Sequence, residues 1–175
     1  MDVAQAQNIA HDIQQGMESD GDQFLTFMLA GEEYGVDILR VQEIKGWDSV
    51  TPIPNTPDYI RGVINLRGTI VPIIDLRRRF GLEAVEYSPV TVVIVLRVED
   101  PETGNSRVMG LVVDAVSDVY NVPEDAIKPA PDFGSIVDVD FVKGLAALDE
   151  VMVIVLDVDR LLNANELATV SRAAQ

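Results

Sequence analysis

Residues 59–80 and 141–162 carry one pattern twice, at a constant offset of 82 and without a gap. The first copy reads YIRGVINLRGTIVPIIDLRRRF and the second FVKGLAALDEVMVIVLDVDRLL. Tyr59 answers Phe141, Arg61 answers Lys143, Gly62 answers Gly144, Asp75 answers Asp157 and Arg78 answers Arg160. A second echo lies upstream, where YGVDILRVQEI (34–44) matches MGLVVDAVSDV (109–119) at an offset of 75. The two offsets differ by seven, which places the extra residues of the second copy in the stretch DFGSIVDVD. A duplicated unit predicts two similar lobes with one seam between them. It also makes each copy a control for the other: shared residues build the lobe, and chemical differences mark candidate functional positions.

The chain has 175 residues, enough for one domain or two small lobes around a shared core. It contains no cysteine, which excludes disulfides, thiolate nucleophiles and zinc–thiolate sites and fits a reducing compartment. With 13 basic against 29 acidic residues the formal charge is −16, which opposes binding to nucleic acid or to anionic membranes. Seven of the 13 basic residues fall between Arg40 and Arg79. Arg77, Arg78 and Arg79 read as a solvated helix start after a buried strand, or as a contact for an acidic protein surface. No apolar run reaches the ~18 residues of a membrane helix. The leading segment lacks the basic and apolar regions of a signal peptide, so a soluble cytoplasmic protein is expected.

Residues 1–22 are polar and read as a mobile tail with a frayed helix over 3–15. Its lone histidine, His11, has no second ligand nearby. From Gln23 onward the signals are those of strands. FLTFMLAGEEYGVDI predicts a hairpin turning near Glu32 and Glu33. TIVPIID, TVVIVLRV, VMGLVVD and VMVIVLDV are short runs of Val and Ile bounded by Gly, Pro or charge, suited to strands covered on both faces. Residues 99–105 form a polar hairpin loop. Pro52, Pro54 and Pro57 enforce extended backbone at one junction, and Pro123, Pro129 and Pro131 do so at the other. Helices are brief: Leu76–Phe80, its counterpart Val158–Leu162, and a C-terminal helix near 164–172. The expected order is tail, all-β lobe, second all-β lobe, short helix.

Catalytic patterns are missing. Neither GxGxxG nor GxxxxGK[ST] occurs, and no nucleophile–histidine set can be assembled from one histidine and no cysteine. Asp37 with Glu43, or Asp114 with Asp118, could form carboxylate pairs, but among 29 acidic residues such pairs arise freely as solvated surface. Asp138-Val139-Asp140 is followed by Phe141, which breaks a calcium-loop pattern. A two-lobed protein without this chemistry reads as a binding module.

The copies differ in charge at one place, where the first has a cation followed by a flexible glycine. Asn65-Leu66-Arg67-Gly68 in the first stands against Ala147-Leu148-Asp149-Glu150 in the second, an inversion of charge. The scaffold therefore does not require arginine there, and Arg67 is a candidate contact, with Glu43 a candidate salt-bridge partner. Gly62 and Gly144 recur in both copies and read as tight backbone turns with positive φ. Val41 is either a solitary exposed valine or part of an apolar docking patch.

EEYGVDILRVQEI, NTPDYIRGVINLRGTIVPIIDLRRRFG, TVVIVL, GLVVDAVSDV, IKPAPDF and GLAALDEVMVIVLDV, in this order, resemble the CheW chemotaxis coupling proteins from about Gln23 to about Leu167. The resemblance implies two five-stranded SH3-like β-barrels around a shared hydrophobic core. It implies a non-catalytic, cofactor-free adaptor that bridges chemoreceptor cytoplasmic tips and the regulatory domain of the histidine kinase CheA, with ring assemblies alongside the kinase. By position, Arg67 and Glu43 fall on the receptor-proximal surface, and Val92, Gly110 and Gly144 at positions linked to binding, the glycines acting either directly or through folding. Val41 and Gly62 fall near positions tied to kinase docking. The loop Glu99–Arg107 is longer and more polar than the family pattern.

Three other readings stay open. One is a coupling protein of a non-flagellar chemosensory pathway. Another is a fragment resembling the kinase's own terminal domain, against which weigh the start at Met1 and the lack of ATP-binding motifs. The last is an acidic hydrolase using Asp37.

Overall fold

The computed structural model describes residues 22–129, 141–148 and 150–163. The frayed helix over 3–15, His11, the inserted stretch 132–140, Asp138–Asp140, Asp149 and the C-terminal helix near 164–172 lie outside those residues.

Two sheets make up the described fold. One has the order β8-β1-β2-β11-β10-β9, from Ala115–Val122, Asp22–Leu29, Glu32–Asp37, Val151–Leu156, Val142–Leu148 and Ile127–Lys128. The other has the order β3-β6-β7-β5-β4, from Val41–Gly46, Val92–Glu99, Ser106–Val113, Thr69–Asp75 and Ile60–Leu66. Single-turn helices α1 (Leu76–Arg79) and α2 (Val158–Leu162) follow β5 and β11. Asp75 and Asp157 cap them by accepting from the Arg78 and Arg160 amides. β1 begins at Asp22, the last residue of the expected tail, and the first hairpin turns at Ala30 and Gly31, so Glu32 and Glu33 already belong to β2.

The repeat is visible down to its irregularities. β4 and β10 each carry a register shift, between Ile60 and Gly62 and between Val142 and Gly144. β5 runs parallel to β7 with Ile73 opposite Gly110, and β11 runs parallel to β2 with Val155 opposite Gly35. The expected lobe-per-copy order is nevertheless not what forms. Each sheet takes two strands from one copy and the rest from the other: β1 and β2 join β8, β9, β10 and β11, while β6 and β7 join β3, β4 and β5.

Connector length explains the exchange. β2 and β3 are joined by the 3₁₀ turn Ile38–Arg40, and β7 and β8 by Asp114 alone. In the second sheet Val113, the end of β7, pairs with Val92, which pairs with Gly46 at the far end of β3. A strand in the β7 position would thus have to return about five residues, roughly 16 Å, to enter β3 at Val41. Three extended residues reach only about 10 Å. The chain passes straight into the other sheet instead, and neither joint contains Gly or Pro.

The largest core lies between the sheets and includes Phe27, Leu29, Ile44, Ile74, Leu96, Met109, Leu111 and Leu161. Each such side chain contributes about 1.5–3 kcal/mol on burial. Smaller clusters line each sheet separately: Leu66, Val71, Ile73, Val93 and Val95 in one, and Phe24, Val122, Val153 and Val155 in the other. In the second sheet Thr51, which follows β3, bridges to Val63 on β4. These strands stand at opposite ends of the sheet order, so the sheet curls until its edges approach. This curvature is compatible with the expected SH3-like barrels.

Candidate interaction site

The turn between β4 and β5 has two residues, because Leu66 pairs with Thr69. Arg67 and Gly68 take φ of 51° and 90°, the left-handed conformations that a two-residue hairpin demands. The Gly68 amide donates to Asn65 Oδ1 at 2.7 Å. Asn or Gly is the usual occupant of the first turn position, and an arginine there is strained. Arg67 Nη2 donates to Glu43 Oε2 at 2.9 Å. A β-bulge between Val41 and Glu43 offsets Glu43 along β3 and sets its place opposite the turn. The arginine side chain is 74% exposed and the glutamate 27%. Solvent screening makes such a pair a minor stabiliser, leaving four guanidinium donors for a partner. The second copy closes the same turn, with Leu148 opposite Val151 and Glu150 at φ 70°.

Val92, by contrast, opens β6 at 2% exposure inside the central core. Gly110 sits where a Cβ would lie 2.7 Å from Ile73 Cδ1 and 2.8 Å from Val93 Cγ1. Gly62 combines φ of 142° with a Cβ position 2.3 Å from the Thr51 carbonyl oxygen. Gly144 needs no positive φ; space alone excludes a side chain, since a Cβ would lie 2.7 Å from the Lys128 carbonyl oxygen. Both copies keep glycine because the incoming segment crosses β4 or β10 at that point. Val41 is half-buried and packs on the central core, so it is not a solitary exposed valine.

Residues 23–166 match the family model described as a CheW-like domain. The chain belongs to the CheW family. It is 50% identical over 158 residues to the chemotaxis protein CheW of Klebsiella aerogenes, covering 90% of this chain and 92% of that protein. With the chemotaxis protein CheW of Rhizobium meliloti the identity is 38% over 146 residues, 83% of this chain and 90% of the relative. The crystal structure of the scaffolding protein TtCheW from Thermoanaerobacter tengcongensis superposes with a TM-score of 0.73 at 36% identity, covering 86% of this chain and 94% of that one.

Several features of this CheW-family chain escaped the sequence reading. The Arg77–Arg79 run is not a solvated helix start. Arg77 grips Asp114 with Nε and Nη2 at 2.8 and 2.7 Å. Arg78 lies 3.6 Å from Asp75, and the Arg79 guanidinium stands 5.2 Å from the Tyr59 ring centre and 4.7 Å from that of Phe141. Those rings are repeat mates, so Arg79 bridges the starts of the two copied hairpins. The carboxylate pairs dissolve as well: Asp37 accepts from the Leu39 amide, Asp114 from Arg77 and the Ala30 amide, and Asp118 from the Val119 amide. Burial alone would raise the Asp114 carboxyl, but the Arg77 and Ala30 hydrogen bonds, with the charge of Arg77, hold it below its usual range.

A recess of about 250 Å³ opens between the end of β3 and β4, lined by Lys45, Trp47, Val50, Thr51, Ile64 and Asn65 among others. Trp47 rests against Tyr87 at 4.3 Å between ring centres, and Tyr87 donates to the buried Asp75 at 2.6 Å. The recess is smaller than the roughly 300–1,000 Å³ of small-molecule sites. Among the described residues no helix is long and apolar enough to cross a membrane.

Proposed function

We propose that this chain is a non-catalytic, cofactor-free adaptor coupling chemoreceptors to the histidine kinase CheA in bacterial chemotaxis signal transduction. The observation that carries the reading is the extent of the match: the CheW-like domain occupies residues 23–166, and the similarity spans 92% and 90% of two CheW relatives. The adaptor domain runs over 23–167, with 1–22 and 168–175 as flanking segments, and it works in the cytoplasm at membrane-associated receptor arrays.

The receptor's cytoplasmic tip docks along the seam between the lobes, and Arg67, steered by Glu43, hydrogen-bonds its polar groups. A strained, exposed arginine that the other copy lacks supports this role. Val92, Gly110 and Gly144 support receptor binding through the fold. Val41 and Gly62 support kinase docking to the CheA regulatory domain, including in rings formed with the kinase. In a pull-down with receptor tips, Arg67→Ala is expected to weaken capture about tenfold while the thermal melt stays almost unchanged. Unaltered capture, or unfolding of the variant, overturns the assignment.

A further inference from the structure

Of the arginines from Arg40 to Arg79, four face carboxylates: Arg40 on Asp159, Arg67 on Glu43, Arg77 on Asp114 and Arg78 on Asp75. Arg61 and Arg79 do not. Among the described residues no hydrogen bond or ion pair engages either side chain, and the Nε of each is buried without a partner. Their guanidiniums lie on rings instead. Arg61 stands 5.8 Å from the Tyr87 ring centre, and Arg79 stands 5.2 Å from that of Tyr59 and 4.7 Å from that of Phe141. A ring face attracts the cation but leaves its N–H edges for an acceptor.

The two arginines belong to one patch, joined through Asp75. Its amide donates to the Tyr59 carbonyl at 2.7 Å, its carboxylate accepts from Tyr87 at 2.6 Å, and Arg78 lies 3.6 Å away. Three guanidiniums thus gather round one buried carboxylate. The exposed carboxylates of Asp58 and Glu86, next in sequence to Tyr59 and Tyr87, pair with neither Arg61 nor Arg79. The duplication shows that the fold does not demand this arrangement. The mate of Arg79 is Leu161, fully buried in the central core. A scaffold that accepts leucine there has no structural need of a half-buried cation, whose burial without an anion is unfavourable.

We propose that Arg61 and Arg79 form a binding surface for an acidic peptide segment of a protein partner, whose carboxylates take the free edges of the two guanidiniums. The planar fork of arginine pairs with a carboxylate through two parallel bonds. Tyr59, Phe141 and Tyr87 hold both forks before binding, so little side-chain entropy is lost on docking. The surface lies at the start of β4, with Arg67 beyond the far end of that strand, and it stands apart from the adaptor function. Charge selects the kind of ligand. The field of a charge reaches about 8 Å at physiological salt, so a short segment meets the patch alone. An anionic membrane would instead face the rest of a chain whose formal charge is −16.

The test titrates the purified full-length chain into a short fluorescein-labelled peptide of alternating glutamate and glycine, followed by anisotropy. Binding is expected, weakening as salt rises from about 0.05 to about 0.5 M, with none for the glutamine counterpart of the peptide. Arg79→Leu, which copies the residue at Leu161, and Arg61→Gln should each weaken binding about tenfold while melting like wild type. Arg97→Gln removes the same charge from an exposed arginine on β6 and should bind normally. If Arg79→Leu melts early, Arg61→Gln decides. No binding by the wild-type chain, undiminished binding by the variants, an equal loss in Arg97→Gln or capture of the glutamine peptide overturns the proposal. Displacement of the peptide by an equal concentration of inorganic phosphate, or preference for phosphatidylglycerol vesicles, overturns the assignment to a peptide.

Discussion

Arg40 and Asp159 form a two-pronged ion pair, at 2.8 and 2.7 Å, whose polarity is opposite to that of Arg77 and Asp114 at the equivalent place in the other half. Arg77 and Asp159 are repeat mates on the two single-turn helices, and Asp114 and Arg40 stand at the two joints where the chain changes sheets. Both halves carry a clip between joint and helix, with charges reversed and Arg40 one position beyond Leu39, the mate of Asp114.

Removing one partner should cost about 1–2 kcal/mol. This is below the roughly 3–5 kcal/mol of a fully buried pair, because Arg40 and Asp159 remain 24% and 25% exposed. Urea unfolding of Arg40→Ala, Asp159→Ala and the double variant should give a coupling energy of about 1 kcal/mol. Additive losses would mean that the pair does not act as a unit.

The Asp114 carboxyl titrates below its unfolded value, so its contribution is present above the unfolded pKa, about 3.9, and is lost as pH falls through the lower folded one. Asp114→Asn should therefore be less stable than wild type at about pH 7, with the gap narrowing below about pH 4. Denaturant midpoints at the two pH values measure this; a constant gap would show that the lost stability is not electrostatic.

Gly62→Ala should be the more damaging of the two matched glycine changes. It meets the Thr51 carbonyl at 2.3 Å and carries φ of 142°, whereas Gly144→Ala meets the Lys128 carbonyl at 2.7 Å without that backbone strain. A loss of about 3 kcal/mol or more is expected for the first and about 1–3 kcal/mol for the second. The reverse order of melting temperatures would contradict the backbone-crossing explanation.

Arg67→Asn should raise the melting temperature by about 2 °C, because asparagine accepts the left-handed turn conformation more readily than arginine. Receptor binding should fall in the same variant. Retained binding would show that the Arg67 guanidinium is dispensable.

The strands were legible because Val and Ile runs of the length of β5, β6 and β11 admit few alternatives. The Arg67–Glu43 pair was legible because the two copies disagree at that turn. The glycines were legible as invariant positions, yet the cause at Gly144 was not, since the Lys128 carbonyl that crosses it is distant along β10's own copy. Leu39 stood inside an apolar run, and nothing in DILRV distinguishes Ile38, turned inward, from Leu39, turned outward.

By itself the sequence established an all-β chain, a duplication, the charge inversion at Arg67-Gly68 and a likeness to one family. Those properties rest on neighbouring residues or on copy-to-copy comparison. Only the tertiary structure decided that the copies exchange strands, that Arg77 and Arg40 find carboxylates in the opposite copy, and that Arg79 lies between Tyr59 and Phe141. The physical reason is the shortness of the two joints: even the three-residue joint reaches only about 10 Å, short of the roughly 16 Å return within one sheet, so long-range partners are set by where a straight chain arrives.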